Sequence, residues 1–346
     1  MPSERLAAAI DALLAGDDLG RDGAAAALEI VMSGEAGETQ TAGLLVALRA
    51  KGETRDELAG LASVIRAHST RVVTDVPGLV DTCGTGGGRP TFNISTAAAF
   101  VTAGAGVPVA KHGNRSATSR SGSADVLEAA GARIDLDPDA VAACLAECGV
   151  GFMFAPGHHP AFRHIVPVRK ALGVRTIFNM LGPLTNPAGA RRQLLGVSDP
   201  AYLERMGGAL ADLGTERALL VHGRDGLDEV TTDGITDAVE VSDGEVTRRE
   251  IDPAALGIAR PGPNDLLGGE PADNARVMNE VLAGETGPAR DVVALNAAAA
   301  LWVAGAADDL AAGLVAAAKS IDDGAARRTL AAFVETTNRL APGEAD

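Results

Sequence analysis

Two polar stretches between residues 81 and 125 concentrate the groups that bind an anion. The first reads Asp81-Thr-Cys-Gly-Thr-Gly-Gly-Gly-Arg-Pro-Thr-Phe-Asn-Ile-Ser-Thr96. The second reads Lys111-His-Gly-Asn-Arg-Ser-Ala-Thr-Ser119 and continues as Ser121-Gly-Ser-Ala-Asp125. Glycine backbone N–H groups, hydroxyl donors and a fixed lysine cation form the donor set that a polyphosphate needs. Spacing argues against two familiar alternatives. Gly84-Thr-Gly-Gly-Gly-Arg89 has arginine where a dinucleotide fingerprint needs its third glycine, and no Gly-Lys-Ser/Thr follows as a Walker A loop requires.

The flanking pattern predicts how these loops are held. Gly78-Leu-Val-Asp81 reads as the end of a short strand and Ala97 to Gly104 as a helix. A loop between them receives unpaired N–H groups and the positive end of the helix dipole. Asn93, Ser95 and Thr96 fall at the helix start, where they can cap it or meet a ligand. Gly106 to Lys111 then reads as a second buried strand, and Ala124 to Gly131 as the helix after its loop. Two such loops can face one pocket at the carboxyl edge of a parallel sheet.

Stepping outward, residues 1 to about 70 read as four helices, Glu4 to Leu14, Arg21 to Ser33, Thr39 to Lys51 and Arg55 to His68, punctuated by Gly20, Gly34 and Gly52. From Gly78 onward, short apolar runs alternate with alanine-rich helical stretches, the pattern of an α/β domain with a mainly parallel sheet. At 346 residues and 46% apolar content the chain can bury a large core. A formal net charge of −16 opposes nucleic-acid binding. The three cysteines cannot all pair, and Cys144 and Cys148 read as reduced residues of one helix. Met1-Pro-Ser-Glu-Arg-Leu lacks a basic leader and no apolar run reaches membrane length, so a cytoplasmic protein without a membrane partner is expected. His158, His159 and His164 show no zinc spacing.

Taken together, the motifs resemble those of the anthranilate phosphoribosyltransferases. Gly-Thr-Gly-Gly, Thr-Phe-Asn-Ile-Ser-Thr, Lys-His-Gly-Asn-Arg-Ser and Ser-Gly-Ser-Ala-Asp occur in family order. They are followed by Gly151-Phe-Met-Phe-Ala-Pro, His158-His-Pro160, Pro167-Val-Arg169, Thr176 to Pro187 and His222-Gly-Arg-Asp-Gly-Leu-Asp-Glu229. Ala47 to Thr54 fits as well, so the likeness covers nearly the whole chain.

The resemblance implies a small helical domain, residues 1–70 completed by an insert near 165–185, over an α/β catalytic domain of residues 71–346. Its reaction would carry the phosphoribosyl group of 5-phosphoribosyl 1-pyrophosphate (PRPP) to the amine of anthranilate, in L-tryptophan biosynthesis. Because the substrate brings its own nucleophile, no side-chain nucleophile is expected, and catalysis rests on positioning and on neutralising pyrophosphate. The implied PRPP site comprises Gly84, Gly87, Gly88, Thr91, Asn93, Ile94, Ser95, Thr96, Lys111, His112, Gly113, Asn114, Arg115, Ser116, Ala117, Thr118, Ser119 and Ser123. Gly84, Asn114 and Arg169 are the implied anthranilate contacts, Arg169 offering its planar fork to the carboxylate. Two Mg2+ ions are implied, one on Asp228 and Glu229 and the other on Ser95 and Glu229, matching a hard cation's need for oxygen ligands. Homodimerisation through the helical domain is implied too, and Leu44, Leu45, Ala47 and Leu48 offer either that face or an internal core face.

One departure stands out. Relatives usually read Gly-Thr-Gly-Gly-Asp-Gly, two residues and Thr, whereas Gly84 to Thr91 is one residue shorter, lacks the aspartate and carries Arg89. Activity is expected to survive with an altered magnesium dependence. Two rival functions remain at this stage. A pyrimidine-nucleoside phosphorylase would need neither Asp228-Glu229 nor Arg169, and a noncatalytic nucleic-acid-binding relative would need a basic groove.

Overall fold

The computed structural model describes residues 3–116 and 120–341. Its helices and strands run in chain order as α1 (Glu4–Ala15), α2 (Gly20–Met32), α3 (Glu38–Lys51), α4 (Arg55–His68), β1 (Val80–Gly84), α5 (Ile94–Gly104), β2 (Val109–Gly113), α6 (Ser123–Ala129), α7 (Pro138–Cys148), β3 (Val150–Phe154) and α8 (Ala155–His158). There follow α9 (Val166–Leu172), α10 (Phe178–Leu181), β4 (Arg192–Gly196), α11 (Leu203–Asp212), β5 (Arg217–Gly223), β6 (Thr236–Ser242) and β7 (Glu245–Ile251). Four helices close the chain: α12 (Pro271–Leu282), α13 (Pro288–Ala304), α14 (Leu310–Asp322) and α15 (Ala325–Leu340).

Local chemistry explains the first four helices. Ser3 caps α1, and Gly16 ends it in the left-handed region that a Cβ disfavours. Thr54 and Glu57 form a reciprocal capping box at the start of α4, satisfying two orphan N–H groups. Leu44, Leu45, Ala47 and Leu48 are buried in the core rather than presented outward, which decides between the two readings of that face.

The sheet runs β3-β2-β1-β4-β5-β6-β7. The first five strands in that order are parallel, whereas β6 and β7 return antiparallel. Both faces are covered. Val80, Leu194, Leu219 and Val221 pack under α5, α13 and α14, while Cys83, Leu195, Leu220 and Val239 join a second core shared with the N-terminal helices and residues 161–184. Burial on both faces leaves the parallel strands without in/out alternation, although Asp81, Thr82, Lys111, His112 and Gln193 are among the buried residues.

Two strands lie later in the chain than their composition predicts. β1 extends through Gly84 rather than ending at Asp81, because Asp81, Thr82 and Cys83 sit in register with Gln193, Leu194 and Leu195 and are buried despite their polarity. β2 begins only at Val109, where its ladder with β3 starts. α5 starts at Ile94, three residues before the expected Ala97, and α6 at Ser123. Cys144 and Cys148 are free thiols on α7. Among the described residues no helix is long and apolar enough to cross a membrane.

Candidate active site

Strand order reverses about β1, with β2 on one side and β4 on the other. Ligands of open α/β sheets bind at such a switch point, beyond the carboxyl ends of the strands. β1, β2, β4 and β5 each end here in glycine, at Gly84, Gly113, Gly196 and Gly223. Gly196 leaves no room for a side chain, since an added Cβ would overlap the Asp228 carbonyl. The loop after β5 thereby lies directly on the end of β4.

The glycine loop closes on that same loop. A Cβ on Gly88 would stand 2.8 Å from the Asp228 backbone nitrogen, and one on Gly84 would stand 3.5 Å from Asp228 Oδ2. Gly86 and Gly87 take positive φ angles of 67° and 88°, which lets the turn stay this tight. Thr85 fixes its start, donating its N–H to the Gly196 carbonyl at 2.9 Å and bonding Ser198 Oγ through its hydroxyl at 3.1 Å. Arg175, between α9 and α10, donates to the Gly87 carbonyl at 2.9 Å.

Ser95, in the first turn of α5, donates its N–H to Glu229 Oε1 at 3.2 Å. Lys111 Nζ lies 3.3 Å from Ser95 Oγ and also donates to the Thr82 carbonyl. Glu229 sits partly buried beside Asp228, and desolvation followed by Asp228 raises its pKa from 4.5 to about 8. Desolvation raises Asp228 as well, and lowers Lys111 against the opposing pull of Asp81, Cys83 and Glu229. The site is therefore short of positive charge at its carboxylates. Asp228, Glu229 and the Ser95 hydroxyl are oxygen donors suited to Mg2+, whose binding would offset that deficit. Among the described residues no three His, Cys, Asp or Glu side chains cluster to hold a metal unaided. Substrate oxygens would have to complete the coordination.

Behind Lys111, the buried Asp81 carboxylate accepts the His112 N–H at 3.2 Å and the Asn186 side-chain amide at 2.8 Å. Asn186 also donates to the Ala110 carbonyl at 2.9 Å. Asp81 was visible as the first residue of the glycine motif, yet its supporting role and that of Asn186 depend on a contact 105 residues apart in sequence.

A row of rings leads from β2 into the mid-chain helices. His112 Nε2 and His159 Nε2 are 3.2 Å apart, His159 stacks on Phe162 at 4.8 Å, and Phe162 meets Phe178 edge-on at 5.5 Å. Arg169 lies over Phe178 at 5.6 Å and bonds Asn179 Oδ1 at 3.4 Å. Desolvation, reinforced by the neighbouring histidines, pushes His112 down to about 3 and His159 to about 4. Both rings are neutral at physiological pH, and a pKa this depressed makes His112 a weak proton acceptor. His158 turns away, its Nδ1 3.0 Å from the Thr70 carbonyl. The cluster's sequence signal was His158-His-Pro160 and Thr176-Ile-Phe-Asn179, but nothing local showed that the rings would meet.

The remaining expected residues divide. Asn93 bonds Ser121 and Asn274 instead of capping α5, and Ile94 enters the core. Thr96 is buried with no partner for its hydroxyl. Thr91 lies against Gly268, whose Cβ would strike the Thr91 backbone. Asn114 accepts the Arg115 N–H at 2.7 Å, and its carbonyl receives the Ser123 hydroxyl at 3.3 Å. The Arg115 guanidinium is occupied by Asp125 and Glu128 of α6. Ser116 donates its N–H to Asp125 at 3.2 Å. Ala117, Thr118 and Ser119 lie outside the described residues.

Known proteins resemble this chain over nearly its whole length. Residues 7–69 match the helical bundle domain of the glycosyl transferase family, and residues 76–327 match its a/b domain. The anthranilate phosphoribosyltransferase of Rubrobacter xylanophilus is 54% identical over 329 residues, covering 94% of this chain and 96% of that one. The crystal structure of anthranilate phosphoribosyltransferase from Thermus thermophilus matches with a TM-score of 0.90 at 42% identity, covering 95% of this chain and 99% of that one. The enzyme from Saccharomyces cerevisiae, in complex with PRPP and Mg, matches with a TM-score of 0.89 at 28% identity, covering 98% and 99%.

Proposed function

The chain belongs to the anthranilate phosphoribosyltransferase family, and from that premise we propose how its own residues carry the reaction. The enzyme transfers the phosphoribosyl group of PRPP to the amine of anthranilate, giving N-(5-phosphoribosyl)anthranilate and pyrophosphate in L-tryptophan biosynthesis. The observation that carries the residue assignment is the convergence of the glycine loop, Ser95, Lys111 and the Asp228–Glu229 pair at one switch point.

In this reading the glycine loop turns backbone N–H groups toward the pyrophosphate, and Lys111 supplies a fixed cation. Asp228 and Glu229, with Ser95, hold two Mg2+ ions, which when bound supply the positive charge that a departing pyrophosphate requires. The bond from C1 to nitrogen forms as the bond from C1 to the pyrophosphate oxygen breaks, the electron pair leaves with pyrophosphate, and the proton shed by the amine passes to the departing pyrophosphate or to solvent. The His159–Phe162–Phe178 row gives an aromatic acceptor a surface to lie on, and Arg169 meets its carboxylate. His159 Nδ1 is buried without a partner and suits the polar edge of such a ring.

The reading also divides the chain into a helical domain of residues 1–70 with the insert near 165–185, and a catalytic domain of residues 71–346. A homodimer is proposed through α1, α3 and α9, where Leu14, Val46 and Val166 are exposed. The three free thiols suit the reducing cytoplasm.

Loss of anthranilate fluorescence on mixing the protein with PRPP and Mg2+, beside Lys111→Ala and Asp228→Asn, tests the assignment. Magnesium-dependent loss in the wild type, reduced at least about 100-fold in both variants, is expected. Variants that retain wild-type rates would remove these residues from the site.

A further inference from the structure

Arg89 does not extend into an open phosphate pocket. Its Nη1 lies 3.1 Å from Asp225 Oδ2 and 3.2 Å from Asp233 Oδ2, and its Nη2 donates to the Pro263 carbonyl at 3.1 Å. Its backbone N–H donates to the Gly226 carbonyl at 2.8 Å. Asp225 is itself fixed, accepting the Thr231 hydroxyl at 3.1 Å and the Leu227 N–H at 3.3 Å. Asp233 carries a second cation, Arg260, at 3.0 Å. Gly223 to Leu227 is a closed turn that leads directly into Asp228 and Glu229. One side chain at the end of the glycine run thus grips the loop that bears both carboxylates.

That grip has a physical use. Gly86, Gly87 and Gly88 have the greatest backbone freedom of any residue type, and ordering each residue costs roughly 1–2 kcal/mol. An anchor directly after them moves part of that cost from substrate binding into folding. We propose that Arg89 is a positioning residue, pairing with Asp225 and Asp233 to lock the glycine loop against the Asp228–Glu229 loop before the metal–pyrophosphate complex arrives. The part of this proposal that concerns PRPP rests on the reading of the site given above.

Two readouts test it. In the ligand-free protein, hydrogen exchange at residues 85–90 and 226–229 reports the lock without any turnover. Arg89→Ala should speed exchange there by about tenfold or more and leave α13 unchanged, whereas Arg89→Lys, able to reach one aspartate, should restore part of the protection. In the fluorescence assay, Arg89→Ala should raise the KM for PRPP about tenfold and raise the half-saturating Mg2+ concentration. Its KM for anthranilate and its kcat should stay within about threefold. Asp225→Asn should act in the same direction, and the double variant should add little to Arg89→Ala alone. Unchanged local exchange in Arg89→Ala would overturn the lock. Faster exchange with an unchanged KM for PRPP in an active wild-type enzyme would overturn its role in substrate binding, while a wild type without turnover would overturn the functional assignment and leave the exchange result to decide the lock.

Discussion

Replacing Glu229 by Gln should stabilise the ligand-free protein at neutral pH while abolishing its activity. The Glu229 carboxyl keeps its proton up to about pH 8 in the folded chain, because burial and Asp228 both oppose its ionisation. In the unfolded chain it ionises near 4.5. The folded form therefore binds more protons than the unfolded form between these values, and the stability this confers is complete below pH 4.5 and lost as pH rises through about 8. Between pH 4.5 and 7, at about 1.4 kcal/mol per pH unit, the loss is on the order of 3 kcal/mol. Glutamine keeps an oxygen for the Ser95 N–H and carries no proton to lose. For a chain of 346 residues, 3 kcal/mol corresponds to about 4 °C in Tm. Melting curves of both proteins without ligand, from pH 4.5 to 9, should coincide at the acid end, diverge with rising pH in favour of the variant, and run parallel above pH 8. Saturating Mg2+ and PRPP should then stabilise only the wild type. A constant gap at every pH, or a variant less stable at pH 8, would refute the argument that desolvation and Asp228 hold the Glu229 carboxyl protonated.

Three further outcomes are expected. Arg169→Ala should raise the KM for anthranilate about 10- to 100-fold and leave that for PRPP within about twofold, since a charge-assisted hydrogen bond contributes about 1.5–3 kcal/mol; steady-state titration of each substrate checks this. Gly196→Ala should displace the Asp228 backbone from the end of β4 and cut kcat/KM at least about tenfold, with a loss of about 1–3 kcal/mol in urea unfolding. Thr54→Ala should cost about 1 kcal/mol through loss of the α4 capping box and leave both KM values unchanged, as urea unfolding and the fluorescence assay will show.

The amino-acid sequence by itself determined the features that depend on near neighbours. Arg55 to His68 is a helix with those bounds because Thr54 and Glu57 cap it and its apolar residues recur at helical spacing. The glycine and hydroxyl loops and Lys111 read as an anion-binding donor set from residue type and order, whereas Asp228 and Glu229 stood out as metal ligands only through the family resemblance. Tertiary structure decided what depended on partners far along the chain. Thr82 and Cys83 look like loop residues, yet the register with β4 buries them in a strand. Asn93, a plausible cap, is taken by Ser121 and Asn274. His112, His159, Phe162 and Phe178 form one row only after the mid-chain helices fold back on β2. Arg89 reads as a free cation in sequence, but its aspartates stand 136 and 144 positions away. Propensity and capping act within a few residues, whereas burial, charge pairing and ring packing are set by whichever surfaces the closed core brings together.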